Sequence, residues 1–245
     1  LKVKKIITET GASMNARAVA AACAKLGLEC EVHIGAVDEK KVNLNRNITE
    51  LYGAKIVVVH DSTATLLPAM ASALRSWQSS PDAMYVVGSV AGPHPYPQMV
   101  RTWASIIGRI AKKQFKQMTG GAPSNLFAVC GGGSNLMSMA YPLLNEKTNI
   151  YAVESGGDGI KTGRHGATIL GGGKMGILLG MKSKVVMHSS QIAESLTEAS
   201  GLDFASVGPE VAYLHDIGRI KFLSSTDLEA KKTFLMCSKK LGILP

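Results

Sequence analysis

Residues 4–90 alternate between short runs rich in β-branched residues and longer helix-compatible runs, and few architectures accept that order. KKIITE (4–9), CEVHIG (30–35), KIVVVH (55–60) and YVVGSV (85–90) read as strands. Between them ARAVAAACAKLG (16–27) reads as a helix stopped by Gly27. A second helix is expected near 39–52 ahead of Gly53, and a third over 65–78, with N-cap choices from Asp61 to Thr65. Strands separated by helices of roughly ten residues or more imply a parallel sheet with right-handed crossovers, here a βαβαβαβ unit.

AGPHPYPQM (91–99) interrupts the pattern, because Pro93, Pro95 and Pro97 continue neither a central strand nor a helix. A long helix is expected from about Gln98 to Met118, after which the alternation resumes. NLFAVC (125–130) and IYAVES (150–155) read as strands flanking a helix that begins near Asn135. Gly156–Gly176 reads as a glycine-rich loop, followed by helical patches at 191–199 and 208–217. IKFLSS (220–225) is a strand, and a last helix starts at Thr226. Asp227 and Glu229 in its first turn and Lys239 and Lys240 in its last suit the helix dipole. The expected fold class is α/β, with parallel-sheet βαβ units, helices on both faces, and two domains at 1–103 and 104–245.

Hydrophobic content of 46% with 18% charged residues excludes a disordered or fibrous chain. No apolar run reaches the roughly 18–20 residues of a membrane helix, so a soluble protein without a membrane partner is expected. The net charge of +9 is spread over clusters at Lys2–Lys5, Arg109–Lys116 and Lys231–Lys240. With no nucleic-acid module and few aromatics, no nucleic-acid partner is expected; the charge suits anionic substrates instead. Cys23, Cys30, Cys130 and Cys237 form no CxxC pair and read as free thiols, which points to a cytoplasmic setting. No metal-ligand spacing joins the six histidines, and no zinc is expected. Leu1–Lys5 runs straight into strand-like sequence without a secretory signal or an initiator methionine.

CGGGSN (130–135) sits between a strand and a helix. Three glycines let backbone N–H groups converge without a Cβ in the way, and Ser134 and Asn135 add a hydroxyl and an amide. The spacing fits neither GxGxxG nor GxxxxGK[ST], which favours a small phosphorylated cofactor over a nucleotide. A tight turn serving only helix–strand packing is the alternative. His94 reads as a structural histidine, and His165 as a loop residue in which polar contact and chemistry are equally open. Met137 and Met139 read as core.

Several blocks together resemble the tryptophan synthase β-subunit family. They are ITETGA (7–12), LGLECEVHIGA (26–36), GSVAGPHPYPQMVR (88–101), CGGGSN (130–135), GLDFASVGPE (201–210), AYLHDIGR (212–219) and LGILP (241–245). The resemblance implies a two-domain fold type II pyridoxal-phosphate enzyme that condenses L-serine with indole to L-tryptophan. It implies that Gly131, Gly132, Gly133, Ser134 and Asn135 cup the phosphate of pyridoxal 5'-phosphate, and that Glu9 is the acid and base. Thr10, Gly11, Ala12, Ser13 and Asn15 would bind the substrate carboxylate. Asp203 would close the site against Lys41, where the family usually has arginine. Carbonyls of Gly131, Phe204 and Ser206 would hold a monovalent cation, sodium or potassium. A homodimer, and a tryptophan synthase α subunit as partner, are further implications. Leu178 and Leu179 match positions lining the family's indole tunnel, with plain strand core as the equal alternative.

The departures from the family pattern lie at Ser13, Met14, Asn15 and Ala16, where the family has Gly-Gln-His-Gly. Leu67 replaces the lysine that signals to the α subunit, and Ala205 replaces a proline. The altered carboxylate loop leaves open another β-replacement or dehydratase enzyme of the same fold. The family's cofactor-holding lysine belongs to a His-Lys block expected ahead of Leu1, and further family blocks are expected beyond Pro245. A truncated, inactive phosphate- or partner-binding module is therefore the third reading.

Overall fold

A computed structural model describes residues 3–188 and 191–244. Lys2 of the first basic cluster and Pro245 of LGILP lie outside the described residues. The chain divides into two compact units, residues 1–88 and 89–245.

In the first unit, β1 (Lys5–Thr10), β2 (Glu29–Gly35), β3 (Lys55–Val59) and β4 (Ala83–Tyr85) pair in the order β3-β2-β1-β4, all parallel. α1 (Met14–Leu26) links β1 to β2, and Gly27 ends it in the left-handed conformation at φ 66°. The expected 39–52 helix is instead a four-residue turn, α2 (Ala36–Glu39), and a separate α3 (Asn43–Leu51). α4 (Leu66–Gln78) carries the chain from β3 back to β4, with Thr65 as its N-cap residue.

Strand alternation assigns the helices to opposite faces. Ile6, Cys30 and Val32 form one core with Ala16, Ala20 and Cys23 of α1. Glu31 and His33, on the other face of β2, bond to Ser76 and Ser72 of α4. The winding thus reverses between β1 and β4, the place where open parallel sheets present ligand sites beyond their carboxyl ends. The strand expected at YVVGSV (85–90) lies earlier, at Ala83–Tyr85, and shares only Tyr85 with that run, with one further ladder bond from Val86 N–H to the Ile7 carbonyl at 2.9 Å.

In the second unit the expected Gln98–Met118 helix is two, α5 (Tyr96–Ala104) and α6 (Ile106–Thr119). The break has a local cause. The Thr102 carbonyl accepts the Ser105 hydroxyl at 2.7 Å and the Arg109 guanidinium at 3.3 Å, side-chain bonds that compete with the helical ladder. β5 (Asn125–Val129), α7 (Ser134–Ala140) and β6 (Asn149–Ser155) follow. β7 (Lys174–Leu178) and β8 (Met181–Val185) form an antiparallel hairpin, so the glycine-rich loop ends at Gly173 rather than Gly176. β9 (Met187–His188) pairs with β10 (Gln191–Ile192).

That pairing overturns the helix expected at 191–199. The segment's amides bond across the chain instead, Ala193 N–H to the Val186 carbonyl and Leu196 N–H to that of His165. A 3-10 turn at Ser200–Leu202, α8 (Pro209–Asp216), β11 (Ile220–Ser225) and α9 (Asp227–Leu241) complete the unit. Thr226 and Glu229 form the capping box that starts α9. β11-β6-β5 is a parallel sheet, and its Ala128, Ile150, Ala152 and Ile220 pack on Leu136 and Met137 of α7 and Val211 of α8. Each fully buried aliphatic side chain there contributes about 1.5–3 kcal/mol.

Candidate active site

Glu9 is the next-to-last residue of β1, on the α4 face and only 4% exposed. Its Oε2 accepts a hydrogen bond from the Tyr85 hydroxyl at 2.6 Å. Burial pushes its carboxyl up to about 7, although the Tyr85 bond and the residue's own amide pull the other way. A carboxyl balanced near neutrality both holds and releases a proton, the property general acid–base chemistry requires. Tyr85 in turn stacks on Trp77 of α4, with ring centroids 5.9 Å apart.

Thr10, Gly11, Ala12 and Ser13 turn the chain from β1 into α1. Ser13 is the N-cap residue at φ 62° and makes no side-chain cap. Strain of this kind in a non-glycine residue costs on the order of 1 kcal/mol or more. The first-turn N–H groups of this 13-residue helix create a positive potential suited to a carboxylate. Asn15 has a different engagement: its amide donates to Thr8 Oγ1 at 2.9 Å and to the Glu9 carbonyl at 3.0 Å. It ties the helix start to the strand end, so this amide is turned towards the strand. Met14 is 62% exposed and contributes no donor.

In the second unit Gly131, Gly132 and Gly133 form the turn between β5 and α7, with Ser134 and Asn135 the first two residues of α7. A Cβ on Gly132 would stand 2.7 Å from Ser89 Oγ, and Gly133 has φ 108° with Val211 Cγ2 at 2.6 Å from such a Cβ. Gly133 requires glycine on both counts, whereas at Gly132 a Cβ would oblige the Ser89 side chain to turn away. Gly131 lies against Gly201 and Leu202, next to the segment bearing Asp203, Phe204 and Ser206. Asp203, Phe204 and Ser206 are buried, and the Ser206 hydroxyl donates to the Lys184 carbonyl at 2.8 Å. The turn is thus lined by backbone on one side, and beside its N–H groups stand the exposed Asn135 and the half-buried Ser134, whose hydroxyl accepts from the Val90 N–H at 3.2 Å. That shape and donor set fit a phosphate group. Lys41, in the first unit, has its Nζ 3.7 Å from Asp38 Oδ1.

Of the other residues weighed, Met137 lies in the core. Leu178 is buried at the end of β7, and Leu179 makes the hairpin turn at φ 47°. His165 is buried, and burial holds its imidazole below the ordinary value. His94 lies exposed before a cis His94–Pro95 bond. Cys23, Cys30, Cys130 and Cys237 are free.

Three polar groups escaped sequence reasoning. Tyr85 is one. A second is a buried network on β2: Glu31 Oε1 contacts His33 Nε2 at 3.0 Å and accepts from Ser76 at 2.5 Å, while Lys5 reaches Oε2 at 2.8 Å. The third is Glu154, whose carboxylate accepts the amides of Thr168, Ile169 and Leu170 at 2.8–3.0 Å and anchors the glycine-rich loop. Polar residues at alternate positions of a buried parallel strand, as in CEVHIG, were the available signal.

A family model described as pyridoxal-phosphate dependent enzyme matches residues 2–245. The chain belongs to that family. It is 43% identical over 244 residues to the tryptophan synthase beta chain of Methylobacterium nodulans, covering 98% of this chain and 60% of the relative. The tryptophan synthase beta chain of Rhodopseudomonas palustris strain BisA53 is 44% identical over the same extents. This member of the pyridoxal-phosphate family therefore spans about 60% of the length of the curated relatives it matches. Among solved structures, a fungal L-serine ammonia-lyase from Rhizomucor miehei shares the fold at TM-score 0.69 and 16% identity, covering 98% of this chain and 65% of that one. A threonine deaminase from T.th. does so at TM-score 0.67 and 18% identity, covering 99% and 68%. The fold is the α/β, type II architecture of these enzymes. Among the described residues, no helix is long and apolar enough to cross a membrane.

Proposed function

We propose that this chain supplies the acid–base carboxyl and the phosphate-binding turn of an enzyme for the β-replacement of L-serine with indole, giving L-tryptophan. The observation that carries the reading is Glu9, a buried carboxyl at about 7 where the winding of the sheet reverses. Pyridoxal phosphate, when bound, supplies the electron sink that labilises bonds at the substrate's α and β carbons. Gly131, Gly132, Gly133, Ser134 and Asn135 would hold its phosphate through backbone N–H groups, the hydroxyl and the amide. Glu9 would give a proton to the departing serine hydroxyl and take one from indole at its attacking carbon. Thr10, Gly11, Ala12 and Ser13, with the start of α1, would bind the substrate carboxylate, and Asn15 would steady that turn.

Asp203 and Lys41 would act as the closing pair, and a monovalent cation would bind carbonyls of Gly131, Phe204 and Ser206. Functionally, residues 1–103 would form the communication-type domain and 104–245 the domain holding the cofactor phosphate. A homodimer, an α-subunit partner with Leu67 in place of the signalling lysine, and a cytoplasmic location complete the reading. A dehydratase of the same fold is the second reading, favoured by the inward engagement of the Asn15 amide and the donorless Met14.

The test uses the protein expressed from its complete native reading frame. Serine and indole together should yield tryptophan, and Glu9→Gln should lower kcat by about 10²–10⁴ with cofactor affinity unchanged. Pyruvate and ammonia from serine, with indole untouched, would establish the dehydratase instead.

A further inference from the structure

Glu9 and Tyr85 meet between β1 and β4, the two neighbours where the winding of the first sheet reverses. Both side chains are buried. Register places Tyr85 opposite Ile7, so its ring spans two residues along the strand to reach the carboxyl of Glu9. The ring is held from behind by Trp77, whose indole N–H is anchored on the Ala83 carbonyl at 3.2 Å. Few other titratable groups face this point. His33 lies opposite Glu9 on β2, with its ring nitrogens engaged by Glu31 and Ser72. Arg75 of α4 is exposed and bonded to Asp61, and Lys5 sits at the far end of β1 on Glu31. α1, with Arg17 and Lys25, covers the opposite face.

We propose that Tyr85 is the positioning residue of Glu9: its hydroxyl holds Oε2, so that Oε1 is the oxygen that takes up and returns the proton. The proposal rests on the reading of Glu9 as the acid–base group and adds the residue that orients it. Tyr85 touches neither substrate nor cofactor in this role. Its effect passes through one hydrogen bond, and a packing role for the ring alone would leave the protonation of Glu9 unmoved.

The experiment is a carbon-13 NMR titration of the full chain labelled at the glutamate δ-carbon, without cofactor or substrate, using Glu9→Gln to assign the resonance. The wild-type resonance should titrate near 7. Tyr85→Phe should move the midpoint up by roughly one to two pH units, the worth of a hydrogen bond to a charged group. Replacing Tyr85 with 3-fluorotyrosine keeps the ring and its stack on Trp77 but strengthens the donor, and should move the midpoint down. If the phenylalanine variant does not fold, the fluorinated protein decides alone. Coincident midpoints would overturn the proposal. Because no substrate is present, that failure is separate from failure of the β-replacement reading, which would show as a normal Glu9 titration without tryptophan formation.

Discussion

Glu9→Gln should make the protein more stable in alkaline solution while removing its chemistry. The carboxyl is pushed from the usual 4.5 to about 7, chiefly by burial. Because the folded value lies above the unfolded one, the folded state binds more protons between those limits. Stability is therefore full below pH 4.5 and falls as pH rises through 7. The loss amounts to about 3 kcal/mol at pH 8 and above. Glutamine keeps an oxygen to accept from Tyr85 but has no charge to bury, so its stability should lack this slope. The assay is urea denaturation of both proteins at intervals from pH 4.5 to 8.5, reading the difference between them. Other titrating groups cancel in that difference, which should grow by about 3 kcal/mol in favour of the variant. A difference flat across the range would refute the assignment of a buried, raised carboxyl at Glu9.

Glu31 should behave in the opposite sense. Burial pushes it up, but bonds from Lys5, Ser76 and His33, with the charge of Lys5, outweigh burial and hold it at about 2. Its contribution is present above 4.5 and lost as pH falls towards 2, so Glu31→Gln should cost about 3 kcal/mol at pH 7 and much less at pH 3, by the same denaturation measurement. Gly133→Ala places a Cβ 2.6 Å from Val211 at φ 108°. Inorganic phosphate should raise the melting temperature of the wild-type protein, and this variant should lose that response together with about 1–3 kcal/mol of stability; an unchanged phosphate response in the variant would remove the glycine turn from the binding site.

Elements whose ends are written in neighbouring residues were legible in the chain. IKFLSS is β11 over 220–225, Gly27 ends α1, and Thr226 with Glu229 starts α9. CGGGSN falls at the strand–helix turn its composition demands. Periodicity and capping act over a few residues, so one stretch of sequence carries them whole. Where a side-chain or long-range bond competes, local reading fails: Ser105 breaks a helix that periodicity continues, and 191–199 gives its amides to distant carbonyls.

The candidate site divides the same way. CGGGSN marked the glycine turn by residue type, whereas Glu9 was marked only through the family resemblance of ETGA, since by residue type it reads as a solvated loop residue. That Tyr85, 76 residues away, would bond Glu9 was decided by β4 returning beside β1. The engagement of Asn15 with Thr8 and Glu9 was decided by the fold of the turn, and the bonds of Glu31 and His33 to Ser76 and Ser72 by what α4 lays over β2. Sequence by itself determined which residues carry protonatable groups and where elements with strong local end signals, such as Gly27 and Thr226, stop or start. Only tertiary structure decided which of those groups lose water and which partners they meet, because desolvation and hydrogen bonding between distant segments exist only once the sheet is assembled.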